Sequence, residues 1–384
     1  MTETPRHAVA GDTVFDGTAL HENCAVVIEG TDIAALLPRR ELPAGMPVID
    51  LPAGSWLAPG FIDVQVNGGG DVLFNDEPSV AGIAAIVAAH RRFGTTGLLP
   101  TLISDSAEKM RMAGEAVAAA VATMPEVLGI HFEGPFLAAE RAGVHDRAML
   151  RRPAPGDLDL LTAARPGVTL TTLAPECVPP GFIASLARAG IKVALGHSMA
   201  TYAETHAAMA EGLSGFTHLF NAMRPMTARE PGPIAAALED ERAFYGLIAD
   251  GLHVAPAMLR LALRGAAQAM LVTDAMPPVG GAGRGFRLAG REIRVGEQGC
   301  TTADGTLAGS MLDMASAVRN CVNLLGIGLA DALRLASAAP AAFLGLSHRH
   351  GHLAPGCRAD LVALDPAAIR VLATWVAGIA FPLS

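Results

Sequence analysis

The sequence predicts an α/β protein: a (β/α)8 TIM-like barrel with a small β-sandwich domain formed by the N- and C-terminal segments. Three observations predict it. The middle of the chain alternates apolar runs with helical patterns, both ends are rich in β-strand patterns, and polar residues follow several of the apolar runs. A doubly wound open sheet is the alternative for the middle, but no G-x-G-x-x-G opens a helix after the first strand, so nothing indicates dinucleotide binding.

Eight near-continuous apolar runs supply the barrel strands, as expected for strands buried on both faces. We predict them at 61–66, 95–103, 127–132, 168–173, 191–195, 215–218, 244–249 and 270–273. Ser79 is a plausible N-cap for a helix that carries Val80, Ile83 and Val87 on one face and stops at Gly94, and a second helix is predicted over about 106–123. Eight strand–helix units in about 215 residues match the length of a barrel.

The two ends of the chain lack long helical periods. We predict that residues 1–58 and 350–384 meet in one β-sandwich domain, and that residues 59–349 form the barrel domain.

Composition excludes several classes of protein. Hydrophobic residues are 51% and charged residues 17%, enough to bury a large core, yet no apolar run approaches the roughly 18 residues of a membrane helix. A net charge of −9 argues against a nucleic-acid partner. The five cysteines are scattered without C-x-x-C, and no signal-peptide pattern begins the chain. We therefore expect a cytoplasmic protein.

Polar side chains follow four different predicted strands. Glu133 ends the third, His197 the fifth, His218 the sixth and Asp274 the eighth. Each alone is more often a packing, capping or turn residue, but in a barrel these strand ends meet at one mouth. One carboxylate and two imidazoles suit Zn²⁺ or Fe²⁺. Asp274 beside such a metal can take a proton from attacking water and return it to a leaving amine.

The lysines bear on the number of metal ions. Only two occur among the 28 lysines and arginines, Lys109 in a helix and Lys192 at the start of a strand. Neither is placed to become a carboxylated, bridging lysine, and Gln65 and Asn67 occupy the first-strand positions where His-x-His would bind a second metal. We predict one divalent metal per subunit, Zn²⁺ first, with Fe²⁺ or another divalent ion as alternatives.

Several motifs together resemble the N-acetylglucosamine-6-phosphate deacetylases of the amidohydrolase superfamily. They are Pro59-Gly-Phe-Ile-Asp-Val-Gln-Val-Asn-Gly68, His131-Phe-Glu-Gly-Pro135, Gly196-His-Ser-Met-Ala-Thr201, Thr217-His-Leu-Phe-Asn-Ala-Met223, Asp250-Gly-Leu-His253 and Val272-Thr-Asp-Ala275. Each motif alone is weak, but their order over about 55–345 is specific. The resemblance implies the same barrel and terminal β-domain, and a homo-oligomer, commonly a dimer.

The resemblance also implies residue roles. Glu133, His197 and His218 are similar to the family's metal ligands, Asp274 to its acid/base and His145 to a histidine that contacts the substrate amide. The substrate-binding positions it implies are Gln65, Asn67, Val144, Asn221, Ala222, Arg229, His253, Leu307, Ala308 and Gly309. Arg229 and His253 suit a phosphate, and in this family the equivalent arginine can act across a dimer interface.

The expected reaction is deacetylation of N-acetylglucosamine 6-phosphate to glucosamine 6-phosphate and acetate, in amino-sugar catabolism or cell-wall recycling. The galactosamine epimer and another amidohydrolase reaction are the enzymatic alternatives. A catalytically silent barrel that binds sugar phosphates is the alternative outside enzymology, and the four intact strand-end residues argue against it.

Overall fold

A computed structural model of the chain describes residues 6–382, except 164, 267, 284 and 298. The chain divides into two compact units. One comprises the chain up to Asp63, the segment His90–Gly97 and the chain from Met314 onward; the other comprises Val64–Ala89 and Leu98–Asp313. Every predicted site residue lies in the second unit. The domain boundaries predicted at 58/59 and 349/350 stay predictions.

Five strands occupy the N-terminal segment. They are β1 (Arg6–Phe15), β2 (Leu20–Glu29), β3 (Asp32–Pro38), β4 (Val48–Asp50) and β5 (Trp56–Pro59). β1 pairs antiparallel with β2 and parallel with β4 and β5. Alternate residues of β1 and β2 enter two separate apolar clusters, Val9 and Val26 in one and Ala8 and Val27 in the other. Both faces of this sheet are therefore covered.

The middle of the chain carries the strands of the barrel and one small hairpin. They are β6 (Phe61–Val66), β7 (Gly68–Gly69), β8 (Val72–Leu73), β9 (Thr95–Ile103), β10 (Gly129–Glu133), β11 (Val168–Leu173), β12 (Lys192–Leu195), β13 (Gly215–Phe216), β14 (Phe244–Leu247) and β15 (Gln268–Leu271). β6 and β9–β15 form one eight-stranded sheet in chain order, and β9–β15 pair in parallel. A parallel bridge between Val66 and Ala275 joins the first strand to the segment after the last. The predicted barrel is confirmed.

Helices alternate with these strands and continue after them. They are α1 (Val80–Arg91), α2 (Ala107–Val121), α3 (Asp157–Thr162), α4 (Phe182–Arg188), α5 (Tyr202–Ala210), α6 (Gly232–Glu239), α7 (Pro256–Ala262), α8 (Met314–Asn320), α9 (Leu329–Ala336) and α10 (Ala338–Leu344). The hydroxyl of Ser79 accepts the N–H of Gly82, as predicted for the start of α1. Ser106 caps α2 through the N–H of Lys109. None of the helices in the described part of the chain combines the length and the apolar character that a membrane span requires.

The remaining strands form an insertion and the C-terminal part of the first sheet. They are β16 (Gly285–Leu288), β17 (Arg291–Gly296), β18 (Gly299–Thr301), β19 (Leu361–Asp365), β20 (Arg370–Val376) and β21 (Ile379–Pro382). β16–β18 make a small antiparallel sheet of their own. β19 pairs with β5, so the N- and C-terminal segments share one sheet of order β21-β20-β19-β5-β1-β2-β3, with β4 on β1. The prediction of one β-domain from both ends is confirmed.

A buried polar chain crosses the barrel interior. His131 Nδ1 lies 3.0 Å from the carbonyl oxygen of Val64, and its Nε2 lies 2.8 Å from the hydroxyl of Thr172, which bonds Thr217 at 2.6 Å. Burial lowers the pKa of His131 to about 4, so this imidazole is neutral, with Nδ1 donating and Nε2 accepting. His131 therefore packs inside the barrel, and it does not line the cavity that Glu133 lines.

Candidate active site and metal centre

Three buried donor atoms meet at the carboxyl ends of three barrel strands, β10, β12 and β13. Glu133 is the last residue of β10, and His197 and His218 each lie two residues beyond β12 and β13. Glu133 Oε1 lies 3.2 Å from His197 Nε2 and 3.0 Å from His218 Nε2, and the two Nε2 atoms are 3.1 Å apart. All three side chains are buried. The structure thus brings the predicted ligand set together.

The chemistry of this donor set fits a divalent metal. His197 Nδ1 donates to the carbonyl oxygen of Arg141 at 2.7 Å, so Nε2, the atom that faces Glu133, is the ring nitrogen that can bind a metal. Burial works to raise the pKa of Glu133, but the two imidazoles hold it well below its usual range, so the carboxylate is ionised. One carboxylate oxygen and two imidazole nitrogens aimed at one point match first-row metal sites that keep open positions.

The backbone at these residues is bent into an unusual conformation. His197 has φ of 50°, His218 of 32° and Asp274 of 52°, all in the left-handed region that residues other than glycine seldom adopt. Such conformations cost about 1–3 kcal/mol each and persist where surrounding contacts enforce them. These bends lie just beyond the parallel strands, and they turn the side chains of His197, His218 and Asp274 toward one another.

Two amides hold the fourth polar residue. Asn67 Nδ2 donates to Asp274 Oδ1 at 2.6 Å, and Gln65 Nε2 donates to the same oxygen at 3.2 Å and to Glu133 Oε1 at 3.2 Å. Burial, followed by the nearby charge of Glu133, raises the pKa of Asp274 to about 6. Gln65 and Asn67 were predicted as substrate contacts; in the structure they orient the two carboxylates.

His145 is held in one tautomer. Its Nδ1 accepts the backbone N–H of Ser104 at 3.3 Å and lies 2.8 Å from the Ser104 hydroxyl. Burial, together with the charge of His197, lowers the pKa of His145 to about 3. The ring is therefore neutral, with its proton on Nε2, and it packs edge-on against the His197 ring with 4.5 Å between centroids. His145 is a hydrogen-bond donor at this site.

A cavity of about 290 Å³ opens over these groups. The predicted residues that line it are Asn67, Glu133, Val144, His145, His197, His218, Asn221, Ala222, His253, Asp274, Leu307 and Gly309. Gln65 stands behind the carboxylates, and Ala308 is buried with its N–H on the carbonyl of Cys300. Arg229 is exposed and lies outside the lining.

The cavity also has lining residues that sequence reasoning missed. Arg141 and Glu140 lie in the turn before His145, and Ile103, Gly143, Met276 and Thr306 also line the wall. Charge alone does not distinguish Arg141 from the other 25 arginines. The tertiary structure places it at the cavity, where its carbonyl oxygen accepts a hydrogen bond from Nδ1 of His197, 56 residues away.

An Asp–His pair lies in the same wall. Asp250 Oδ2 is 2.6 Å from His253 Nδ1, while its other oxygen accepts the backbone N–H groups of Leu252 and His253. This arrangement gives Nδ1 a hydrogen-bond partner and leaves Nε2 as the ring nitrogen for a ligand.

The model of the amidohydrolase family matches residues 56–380. The chain belongs to this family. N-acetylgalactosamine-6-phosphate deacetylase of Shewanella sp. (strain ANA-3) is 42% identical to it, over 96% of this chain and 94% of that protein. N-acetylglucosamine-6-phosphate deacetylase of Haemophilus influenzae is 32% identical, over 97% and 98%. The crystal structure of N-acetylglucosamine-6-phosphate deacetylase from Pasteurella multocida has a TM-score of 0.95 and 33% identity, covering 98% of this chain and all of that one.

Metal binding should depend on the three converging donors. We expect one equivalent of Zn²⁺ per chain by elemental analysis after dialysis, because Gln65 and Asn67 donate hydrogen bonds and offer no second ligand set. Glu133→Gln should weaken Zn²⁺ binding by more than the roughly 10–100-fold typical of outer-sphere changes. Glu140→Gln is the matched control, since Glu140 lines the same cavity outside the cluster. Two tightly bound equivalents, or equal losses in both variants, would contradict the single-metal site.

Proposed function

We propose that this chain hydrolyses the acetamido group of an N-acetylated amino-sugar 6-phosphate, with N-acetylglucosamine 6-phosphate as the substrate and glucosamine 6-phosphate and acetate as products. The observation that carries the proposal is one cavity that holds the Glu133–His197–His218 cluster, Asp274 and the donor His145. Relatives named for this activity match nearly the whole chain.

Glu133, His197 and His218 would hold one divalent metal, which we propose is Zn²⁺, with Fe²⁺ as the alternative. When bound, the metal supplies Lewis acidity that polarises the acetyl carbonyl and activates water. A second metal bridged by lysine is not proposed, because Lys109 lies in α2 and Lys192 begins β12, at the opposite end of its strand from the site.

Asp274 is the group that moves the proton. We assign it removal of a proton from the attacking water and return of that proton to the sugar nitrogen as the carbon–nitrogen bond breaks. A pKa raised to about 6 suits a carboxyl that must both accept and donate near neutral pH. The amides of Gln65 and Asn67 hold one of its oxygens, which fixes the direction of the other.

His145 would stabilise the oxygen of the acetyl group. Its Nε2–H is the donor that remains once Ser104 occupies Nδ1. A fixed donor at the position where negative charge develops favours the tetrahedral intermediate over the planar amide. Because burial keeps this ring neutral, it donates without bringing a positive charge beside the metal ligands.

The sugar and its phosphate would lie along the rest of the wall. Asn221, Ala222, Leu307 and Gly309 line it, and His253 presents Nε2 there. For the phosphate we add Arg141 to the predicted Arg229, because Arg141 lines the cavity within this chain. Arg229 would reach a phosphate from a partner subunit; the homodimer, like the cytoplasmic location, stays a prediction from sequence.

N-acetylgalactosamine 6-phosphate is a second candidate substrate. The specific observation in its favour is the Shewanella relative, which is named for that activity and is 42% identical. The chemistry proposed for the acetamido group is the same for both epimers.

Acetate release from the two N-acetylated sugar phosphates tests the function. We expect the zinc-loaded protein to release acetate from N-acetylglucosamine 6-phosphate. Acetate release should stop after dialysis against a chelator and return when Zn²⁺ is added. Faster turnover of N-acetylgalactosamine 6-phosphate would identify that sugar phosphate as the substrate. If neither sugar phosphate releases acetate, the protein catalyses another amidohydrolase reaction or is a catalytically silent barrel.

Replacing the proton carrier should separate binding from chemistry. We expect Asp274→Asn to lower kcat by about 10²–10⁴-fold, because the amide cannot accept the proton of water. Zinc content should be unchanged, since Asp274 is outside the three-residue cluster. Asp159→Asn, in an exposed position on α3, is the control and should keep wild-type kcat. Turnover of the Asp274 variant close to wild type would remove this residue from the role.

The phosphate contacts can be assigned by comparing two substrates. We expect Arg141→Ala to raise KM for the 6-phosphate about 10–100-fold, as for loss of a hydrogen bond to a charged group, with a smaller change for the unphosphorylated sugar. Arg147→Ala, exposed and outside the cavity, is the control. If Arg229→Ala gives the same selective loss, that arginine also serves the phosphate. If Arg141→Ala raises KM equally for the phosphorylated and the unphosphorylated sugar, Arg141 does not bind the phosphate.

A further inference from the structure

The short segment after His197 has to hold that imidazole in place. His197 itself has a left-handed backbone, and the chain then runs through Ser198, Met199 and Ala200 before α5 begins at Tyr202. A residue in this conformation stays there only where its surroundings enforce it. The contacts of residues 198–199 therefore bear on where His197 Nε2 points.

One carboxylate binds this segment from a neighbouring loop. Glu176 lies in the turn Pro175–Cys177 that follows β11. Its two oxygens lie 3.1 and 2.8 Å from the hydroxyl of Ser198, and Oε1 also accepts the backbone N–H of Met199. The same hydroxyl accepts the N–H of Ala200 at 2.9 Å. Both residues after His197 are thus bound to Glu176.

The other side of the segment is bound to the loop that follows His218. Ser198 N donates to the carbonyl of Ala222 at 3.1 Å, and Arg224 N donates to the carbonyl of Ser198 at 2.9 Å. Arg224 Nε donates to the carbonyl of Met199 at 2.7 Å. The loops after β11, β12 and β13 are therefore connected through residues 198–199, and Glu176 is the anchor on the β11 side.

We propose that Glu176 is a positioning residue for the metal centre: it holds residues 198–199 so that His197 Nε2 stays turned toward Glu133 and His218. The inference rests on the proposed metal-dependent function and deepens it. Glu176 belongs neither to the three-residue cluster nor to the cavity lining. Its carboxylate makes charge-assisted hydrogen bonds, which are about twice as strong as neutral ones.

A second carboxylate supplies a matched control. Glu211 lines the same surface groove as Glu176, and its oxygens accept the N–H groups of Gly181 and Ala184 at 3.2 and 3.3 Å. Those contacts belong to the start of α4 and do not involve the His197 loop. Loss of Glu211 therefore removes backbone hydrogen bonds of the same kind without releasing a metal ligand.

The test measures Zn²⁺ affinity by competition with a chromogenic chelator, together with the melting temperature of the metal-free protein. We expect Glu176→Ala to weaken Zn²⁺ binding about tenfold, as outer-sphere partners do. Glu176→Gln should lie between this variant and wild type, because an amide keeps an acceptor for Met199 N–H. Glu211→Ala should lower the melting temperature and leave Zn²⁺ affinity unchanged.

Each result decides one question. Zn²⁺ affinity within twofold of wild type in Glu176→Ala, or an equal loss in Glu211→Ala, would overturn the positioning role. If Glu176→Ala does not fold, Ser198→Ala removes the hydroxyl contact to Glu176 and keeps the Met199 N–H contact. We expect this variant to weaken Zn²⁺ binding by less than tenfold, and unchanged affinity overturns the proposal. If wild type releases no acetate while Glu176→Ala still loses Zn²⁺ affinity, the proposed reaction fails and the positioning role stands.

Discussion

A buried carboxylate faced by two imidazoles is the interaction around which this site is organised. Glu133 is 2% exposed, and an ionised carboxylate at that depth is costly unless positive or hydrogen-bonding partners surround it. His197 and His218 are those partners at 3.0–3.2 Å, and Gln65 adds an amide. Much of the surrounding architecture, including the left-handed bends at the strand ends, brings these side chains to one carboxylate.

Two carboxyl groups in one cavity have opposite properties. The imidazoles keep the pKa of Glu133 low, whereas burial and the charge of Glu133 raise the pKa of Asp274 to about 6. Opposite shifts in neighbouring carboxyls are how one site keeps a permanent anion beside a group that exchanges protons. Gln65 donates to both and so couples their positions. This division underlies the proposed roles of metal ligand and proton carrier.

The site is supported by loops as much as by strands. The carbonyl of Arg141 binds His197, Ser104 binds His145, and Asp250 binds His253. In each case a hydrogen bond to one ring nitrogen leaves the other for the cavity. Glu176 acts one step further from the cluster of Glu133, His197 and His218, through the backbone of the His197 loop.

The sequence by itself determined the barrel, the shared terminal sheet and the cluster of Glu133, His197 and His218. Apolar periodicity reports strands buried on both faces, and the geometry of a parallel barrel brings their ends together. The tertiary structure alone decided that Gln65 and Asn67 hold carboxylates, that Arg141 lines the cavity and that Arg229 does not. These outcomes depend on hydrogen bonds between residues up to 209 positions apart. Local sequence patterns indicate the backbone conformation near each residue. They do not indicate which distant loop its side chain will contact.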